Sequence, residues 1–213
     1  MKTISNHIDK IKILDDLDVR ASDLFQSNGI IWVEGPSDRI YIKKWLEVFC
    51  DCKYEEGNHY QFLYYGGKLL AHYTTENNQE REELINILTT NMNSAVIIDS
   101  DKHNETDVIN DTKTRIQTEF WTNNLFCWVT KGKEIENYIS FSDIEKAFGK
   151  TGLQQCGQYD LFPEYIQDID GSFSCHKVDF AKKMKSNISS TNILDLKGQI
   201  ESLHEQIKKW NKD

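Results

Sequence analysis

Two short runs, Ile30-Ile31-Trp32-Val33 and Ala95-Val96-Ile97-Ile98, constrain the fold most, because every residue in them is apolar. A strand with one solvated face alternates apolar and polar side chains. An unbroken run of this length belongs to a strand buried on both faces, as in a parallel sheet covered by helices. Gln61–Tyr65 and Leu125–Val129 read as two more strands. Apolar residues at three- and four-residue spacing predict helices between them. These cover 8–27, then 36–49 with Ile40, Trp45, Leu46 and Phe49 inward, then 79–90, and a segment marked by Val108, Ile109, Ile116 and Phe120. Ser142 with Glu145 three residues on reads as a capping box for a short helix closed by Gly149. The stretch 150–174 has no clear period and reads as a loop-rich excursion. Helix is expected again near 176–187 and from Ile193 onward. Strands alternating with helices imply an α/β fold: a mainly parallel sheet flanked by helices, with a C-terminal helical extension.

At 213 residues the chain fits one domain. No apolar run approaches the roughly 20 residues of a membrane helix, and residues 1–20 lack a signal-peptide core, so a soluble, cytoplasmic protein with no membrane partner is expected. The cysteines at 50, 52, 127, 156 and 175 are odd in number and show no CxxC spacing, which suits reduced intracellular thiols. The six histidines show no paired spacing, which argues against a zinc site.

Acids follow three of the four expected strands. Glu34 ends the first, with Asp38 four residues on; Asp99-Ser100-Asp101 ends the third; Glu134 and Glu136 lie just after the fourth in K-G-K-E-I-E-N-Y. Ligands of open parallel sheets bind outside the carboxyl ends of the strands. In extended chain, residues i and i+2 point to one side roughly 6.6 Å apart, close enough for two carboxylates to share a cation. Gly35 is expected to let the backbone turn sharply, bringing Asp38 in the first helical turn back to the strand end. Acids are 34 of 213 residues, so one acid after one strand is unremarkable. Doubled acids at three strand ends on one edge carry more weight: close carboxylates repel unless a cation neutralises them. An all-oxygen ligand set selects a hard ion, Mg²⁺ or Mn²⁺.

Net charge is −9, unevenly placed: residues 171–213 carry +3, leaving −12 on the rest. An acidic body with a basic tail suits a carboxylate site whose polyanionic substrate is gripped elsewhere. The plain alternative for Lys182, Lys183 and Lys185 is a solvated helix face.

The strings V-E-G-P-S-D-R at 33–39, Y-G-G at 65–67, I-I-D-S-D at 97–101 and E-I-E-N-Y at 134–138 resemble the TOPRIM (Rossmann-like) domain of OLD-family (overcoming lysogenization defect) ATP-dependent endonucleases, over roughly residues 14–185. The resemblance implies an N-terminal helical linker at 1–28, a TOPRIM nuclease core at 29–150, and a loop-rich insertion with C-terminal helices at 151–213 completing the same domain. It implies a two-metal, Mg²⁺- or Mn²⁺-dependent hydrolysis of phosphodiester bonds. Glu34, Asp99 and Asp101 would hold the first ion; Asp38 and Glu136, with Glu134, the second; Glu34 and Lys177 would be the catalytic pair, with Lys177 near the scissile phosphate. DNA is the expected substrate. The alternatives are an RNA-cleaving effector, for example on tRNA, and a non-cleaving Mg²⁺-binding nucleic-acid module. Relatives carry an ATPase domain, so an ATPase in cis or in trans and a role in anti-phage defence are implied, and homo-oligomerisation stays open. Gly149-Lys150-Thr151 is no substitute for a phosphate-binding loop: position 144 is Ile where that loop needs glycine, and the triplet closes a helix.

Overall fold

The computed structural model describes residues 27–50, 53–66, 85–86, 88–89, 91–189 and 192–213. Four strands form one all-parallel sheet: β1 (Ile30–Val33), β2 (Gln61–Tyr64), β3 (Ser94–Ile98) and β4 (Phe126–Val129), in the order β2-β1-β3-β4. Ile30 pairs with Gln61 on one side and Ser94 on the other, and Ala95 pairs with Phe126. The chain leaves β1 toward β2 and later returns to β3 on β1's opposite side. The topological switch point therefore lies between β1 and β3, the place where open parallel sheets bind ligands at their carboxyl edge.

Both faces are covered, which explains the unbroken apolar runs. Ile31, Val33, Ala95, Ile97, Phe62 and Trp128 face one core, shared with helices α1 (Pro36–Phe49), α3 (Phe141–Phe148), α5 (Lys177–Lys185) and α6 (Leu196–Trp210). Ile30, Trp32, Val96, Ile98 and Leu63 face the other, with Ile116 and Phe120 of α2 (Asp111–Thr122) and with Ile85 and Leu88. Burying a side chain of this size stabilises by roughly 1.5–3 kcal/mol, and the period-2 pleat sends alternate residues into each core. Helix α1 packs on α5 and α6, which draws the C-terminal segment over the first face.

Several local expectations change. Helix α2 starts at Asp111, because Asn110 Oδ1 accepts from the Lys113 amide at 2.9 Å; Val108 precedes it and is exposed. Helix α3 is capped by Ser140, whose Oγ accepts from the Ser142 amide, whereas Glu145 accepts from the Leu153 amide at 2.9 Å. The capping-box reading at Ser142 is therefore replaced by a Ser140 cap. Gly149 does close that helix, at φ 62° in the left-handed region that glycine adopts without strain. The excursion at 150–174 holds a short helix α4 (Phe162–Ile166) and a 3₁₀ turn at Phe173–Cys175. Aromatic contacts order it in place of periodicity: Phe162, Phe173 and Phe180 meet edge to face at 5.0 to 5.8 Å between ring centroids. The helix expected at 8–27 lies outside the described residues apart from Ser27. Of the one expected at 79–90, four residues are described. No helix among the described residues is long and apolar enough to cross a membrane.

Candidate metal centre

Parallel pairing brings all the strand-end acids to one edge. Glu34 follows β1, and its carbonyl accepts from the Gly66 amide at 3.0 Å, which extends the ladder with β2 past the strand. The backbone does bend at Glu34 and Gly35, but Gly35 itself is extended (φ −159°, ψ −175°) with open space where a Cβ would stand, so the bend does not draw on glycine's conformational freedom. Pro36 then opens α1 with its preset φ. Asp38 sits in the first turn of α1 and is buried. Its Oδ2 accepts from the Gly35 amide at 3.0 Å and its Oδ1 from Ser37 Oγ at 3.1 Å.

The same-side rule for Asp99 and Asp101 does not carry over, because Asp101 leaves extended backbone. The Ser100 amide donates to Thr130 Oγ1 at 2.8 Å, its hydroxyl to the Gly132 carbonyl at 2.7 Å, and the Asp101 amide to the Lys133 carbonyl at 2.9 Å. These bonds lash the end of β3 to the loop after β4 and hold Asp101 at φ 55°. Asp99 stays half-buried, while the Asp101 side chain is 68% exposed and pairs with Lys113. Glu134 caps the 3₁₀ turn Ile135–Tyr138, and Glu136 lies inside it, 1% exposed. Glu134 accepts from Lys177 Nζ at 3.0 Å and from the Phe162 amide at 3.3 Å. Lys177, the first residue of α5, also stands 3.5 Å from Glu136 Oε1.

The electrostatics tie these groups together. Burial pushes the Asp99 carboxyl well above its ordinary value, and Asp38, Glu136, Glu34 and Glu134 add like-charge repulsion. Burial likewise raises Glu34, helped by Asp38 and Asp101 and opposed by Lys177 and Lys113. Asp38 is raised by burial against the hydrogen bonds it accepts. Burial lifts Glu136 to about 8, with Lys177 opposing and Glu134 and Asp38 reinforcing. Lys177 is pushed upward: burial works against its charge, but Glu136 and Glu134 outweigh it.

Whether these residues suit a cation turns on Glu136. Both of its oxygens are buried without a hydrogen-bond partner, which costs free energy that a cation would recover. With Asp38, Asp99 and Glu34 it brings only oxygen donors to this edge, the donor chemistry that hard divalent ions take. Asp101 and Glu134 are already engaged by lysines. Among the described residues no three His, Cys, Asp or Glu side chains are arranged to enclose an ion as they stand.

Three site residues escaped the sequence reading. Lys113 occupies the same stripe of α2 as Ile116 and Phe120, and a lysine at that register was the available signal. Lys133 is buried, with Nζ 3.4 Å from the Asp101 carbonyl. Tyr41 lies one turn after Asp38, and its buried hydroxyl has no partner; burial, Glu136 and Asp38 raise its pKa. A groove of about 500 Å³ borders the site, lined by Lys102, Val108, Thr114, Gln117 and Lys131 among others. A further cavity of about 400 Å³ lies by the far end of α1, around Leu46, Cys50, Tyr54 and Ile207.

Fold and site thus define an α/β protein with a carboxylate cluster at the switch point of a parallel sheet. No protein-family model matches the chain, and comparisons with curated proteins and with solved structures return no match.

Proposed function

We propose that this chain is a divalent-metal-dependent nuclease of the TOPRIM type, hydrolysing phosphodiester bonds of nucleic acid, with DNA as the substrate. The observation that carries this reading is the Glu136 carboxylate, sealed from solvent with neither oxygen hydrogen-bonded, among Asp38, Asp99 and Glu34. A carboxylate buried this deeply is costly even with Lys177 3.5 Å away, and a cation at the site would offset that cost. Bound Mg²⁺ or Mn²⁺ would supply an acidified water and charge neutralisation at the leaving oxygen. The chain's own residues would orient that chemistry: Glu34, Asp38, Asp99 and Glu136 would hold the ions, with Asp101 through the oxygen that Lys113 leaves free and Glu134 beside them. Lys177, now paired with Glu134, would be placed to meet the phosphate. Lys102 and Lys131 flank the groove beside the site and suit a backbone path across it. The resemblance to OLD-type nucleases supports an ATPase partner, in cis or in trans, a cytoplasmic setting and an anti-phage role.

One observation favours a second reading, a non-cleaving cation-binding module: Lys113 and Lys177 already neutralise two of the acids. Incubation with supercoiled plasmid, linear DNA and RNA, with Mg²⁺ or Mn²⁺, separates the two. Plasmid nicking or linearisation that EDTA stops supports the nuclease. RNA cleavage alone moves the substrate to RNA, and cation binding with no cleavage of any substrate supports the module.

A further inference from the structure

Lys113 enters the site from α2 with its side chain 7% exposed. Its ammonium donates to the Asp99 carbonyl at 2.7 Å and pairs with Asp101 Oδ2. One cation thus binds the main chain of the first acid and the side chain of the second, coupling the segment after β3 to the orientation of Asp101. The same segment holds Asp101 in left-handed backbone at φ 55°, a conformation uncommon outside glycine. Two further bonds reach it from Lys133, one accepting from the Asp101 amide and one from Nζ to its carbonyl.

The imbalance in burial decides what the pair does. The Asp101 side chain is 68% exposed, so water already reaches its carboxylate. Lys113 shares a stripe with Ile116 and Phe120, where an apolar side chain would pack at no desolvation cost. A buried lysine there has value chiefly through what it holds in place. It takes Oδ2 of Asp101 and leaves Oδ1, and Asp101 stands near enough to raise the Glu34 carboxyl.

We propose that Lys113 is a positioning residue for the acid pair after β3, holding one oxygen of Asp101 so that the other is presented to a divalent cation shared with Glu34. This rests on the cation-dependent reading of the site. It assigns Lys113 the outer-shell role that fixes a ligating carboxylate, a role whose loss typically weakens metal affinity about 10–100-fold.

The test is a Mn²⁺ titration of the full chain by electron paramagnetic resonance, with cation-free melting curves alongside. Lys113→Met should weaken Mn²⁺ binding at least about tenfold, and Lys113→Arg should recover part of the loss. Lys113→Met combined with Asp101→Ala should bind no more weakly than Asp101→Ala alone, as expected when one residue acts through the other. If Lys113→Met melts lower yet binds Mn²⁺ like the parent, Lys113 is only structural and the proposal fails. Tighter binding would also overturn it, by making Lys113 a competitor for Asp101. If Lys113→Met does not fold, Lys113→Gln carries the same expectation. A parent chain that binds no Mn²⁺ sinks both this proposal and the cation-dependent reading, whereas failure of the Lys113 arm alone leaves that reading standing.

Discussion

The Lys177 ammonium stands 3.5 Å from Glu136 Oε1, although 43 positions separate Lys177 from the adjacent Glu134 that it also bridges. One exposed-edge lysine therefore supplies the countercharge for a carboxylate that the fold has sealed from water.

Lys177→Met should lower stability in EDTA. Removing one member of a buried ion pair costs about 3–5 kcal/mol. With the Lys177 side chain 39% exposed, solvent screening brings this to about 1–2 kcal/mol. The melting temperature should then fall by about 2–8 °C, with part of the loss recovered in Mg²⁺, and cleavage should drop sharply. An unchanged melting curve in EDTA would mean that Glu136 does not depend on Lys177.

Stability should fall as pH rises from about 5 to 8 in EDTA. Glu136 is lifted from 4.5 to about 8, so across that window the folded chain keeps a proton that the unfolded chain has released. Glu34, Asp38 and Asp99 are raised too and act with the same sign. Lys177 is raised from 10.5, so its stabilisation is fully present below that value and adds no slope here. Mg²⁺ should flatten the curve by taking the proton's place. A flat or rising melting temperature in EDTA would refute the shift.

Asp99→Ala and Glu34→Ala should each abolish plasmid cleavage while leaving melting equal or higher, because each relieves repulsion in a crowded site. Glu136→Ala should do the same, and Glu134→Ala should be milder, since Glu134 is already hydrogen-bonded by Lys177 and the Phe162 amide. Full activity in Asp99→Ala would rule out the mechanism.

The basic face of α5 is open to a direct measurement. Lys182 pairs with Asp179 at 3.4 Å and Lys183 lies over the Phe148 ring at 3.6 Å, yet both are exposed, as is Lys185. If this face grips nucleic acid, replacing all three with alanine should weaken binding and reduce the salt slope by roughly 0.9 per lost phosphate contact. Unchanged affinity and slope would leave these lysines a solvated face.

Gly29→Ala should destabilise the fold without touching the acids. A Cβ at Gly29 would strike the ring of Trp210, which closes α6 over the start of β1. Overpacking of this kind costs about 1–3 kcal/mol. A melting curve matching the parent would show that the Trp210 ring yields freely.

The four strands and the acids that follow them were legible in the sequence. Burial on both faces leaves no polar position in β1 or β3, and the pleat then sends Ile31 and Val33 one way and Ile30 and Trp32 the other. Parallel pairing of such strands forces Glu34 and Asp99 to the same edge. Which acids face one another was decided only by the tertiary structure. The same-side rule for Asp99 and Asp101 holds in extended chain, and Asp101, bonded with Ser100 to the loop after β4, stands outside it at φ 55°. Lys113 and Lys177 then divide the acids into paired and unpaired, and neither partnership has a local signature, because α2 and α5 deliver them by packing hydrophobic faces that carry no information about charge. Local periodicity specifies what a segment buries; the pairing of charges across the sheet edge arises from where those buried faces come to rest.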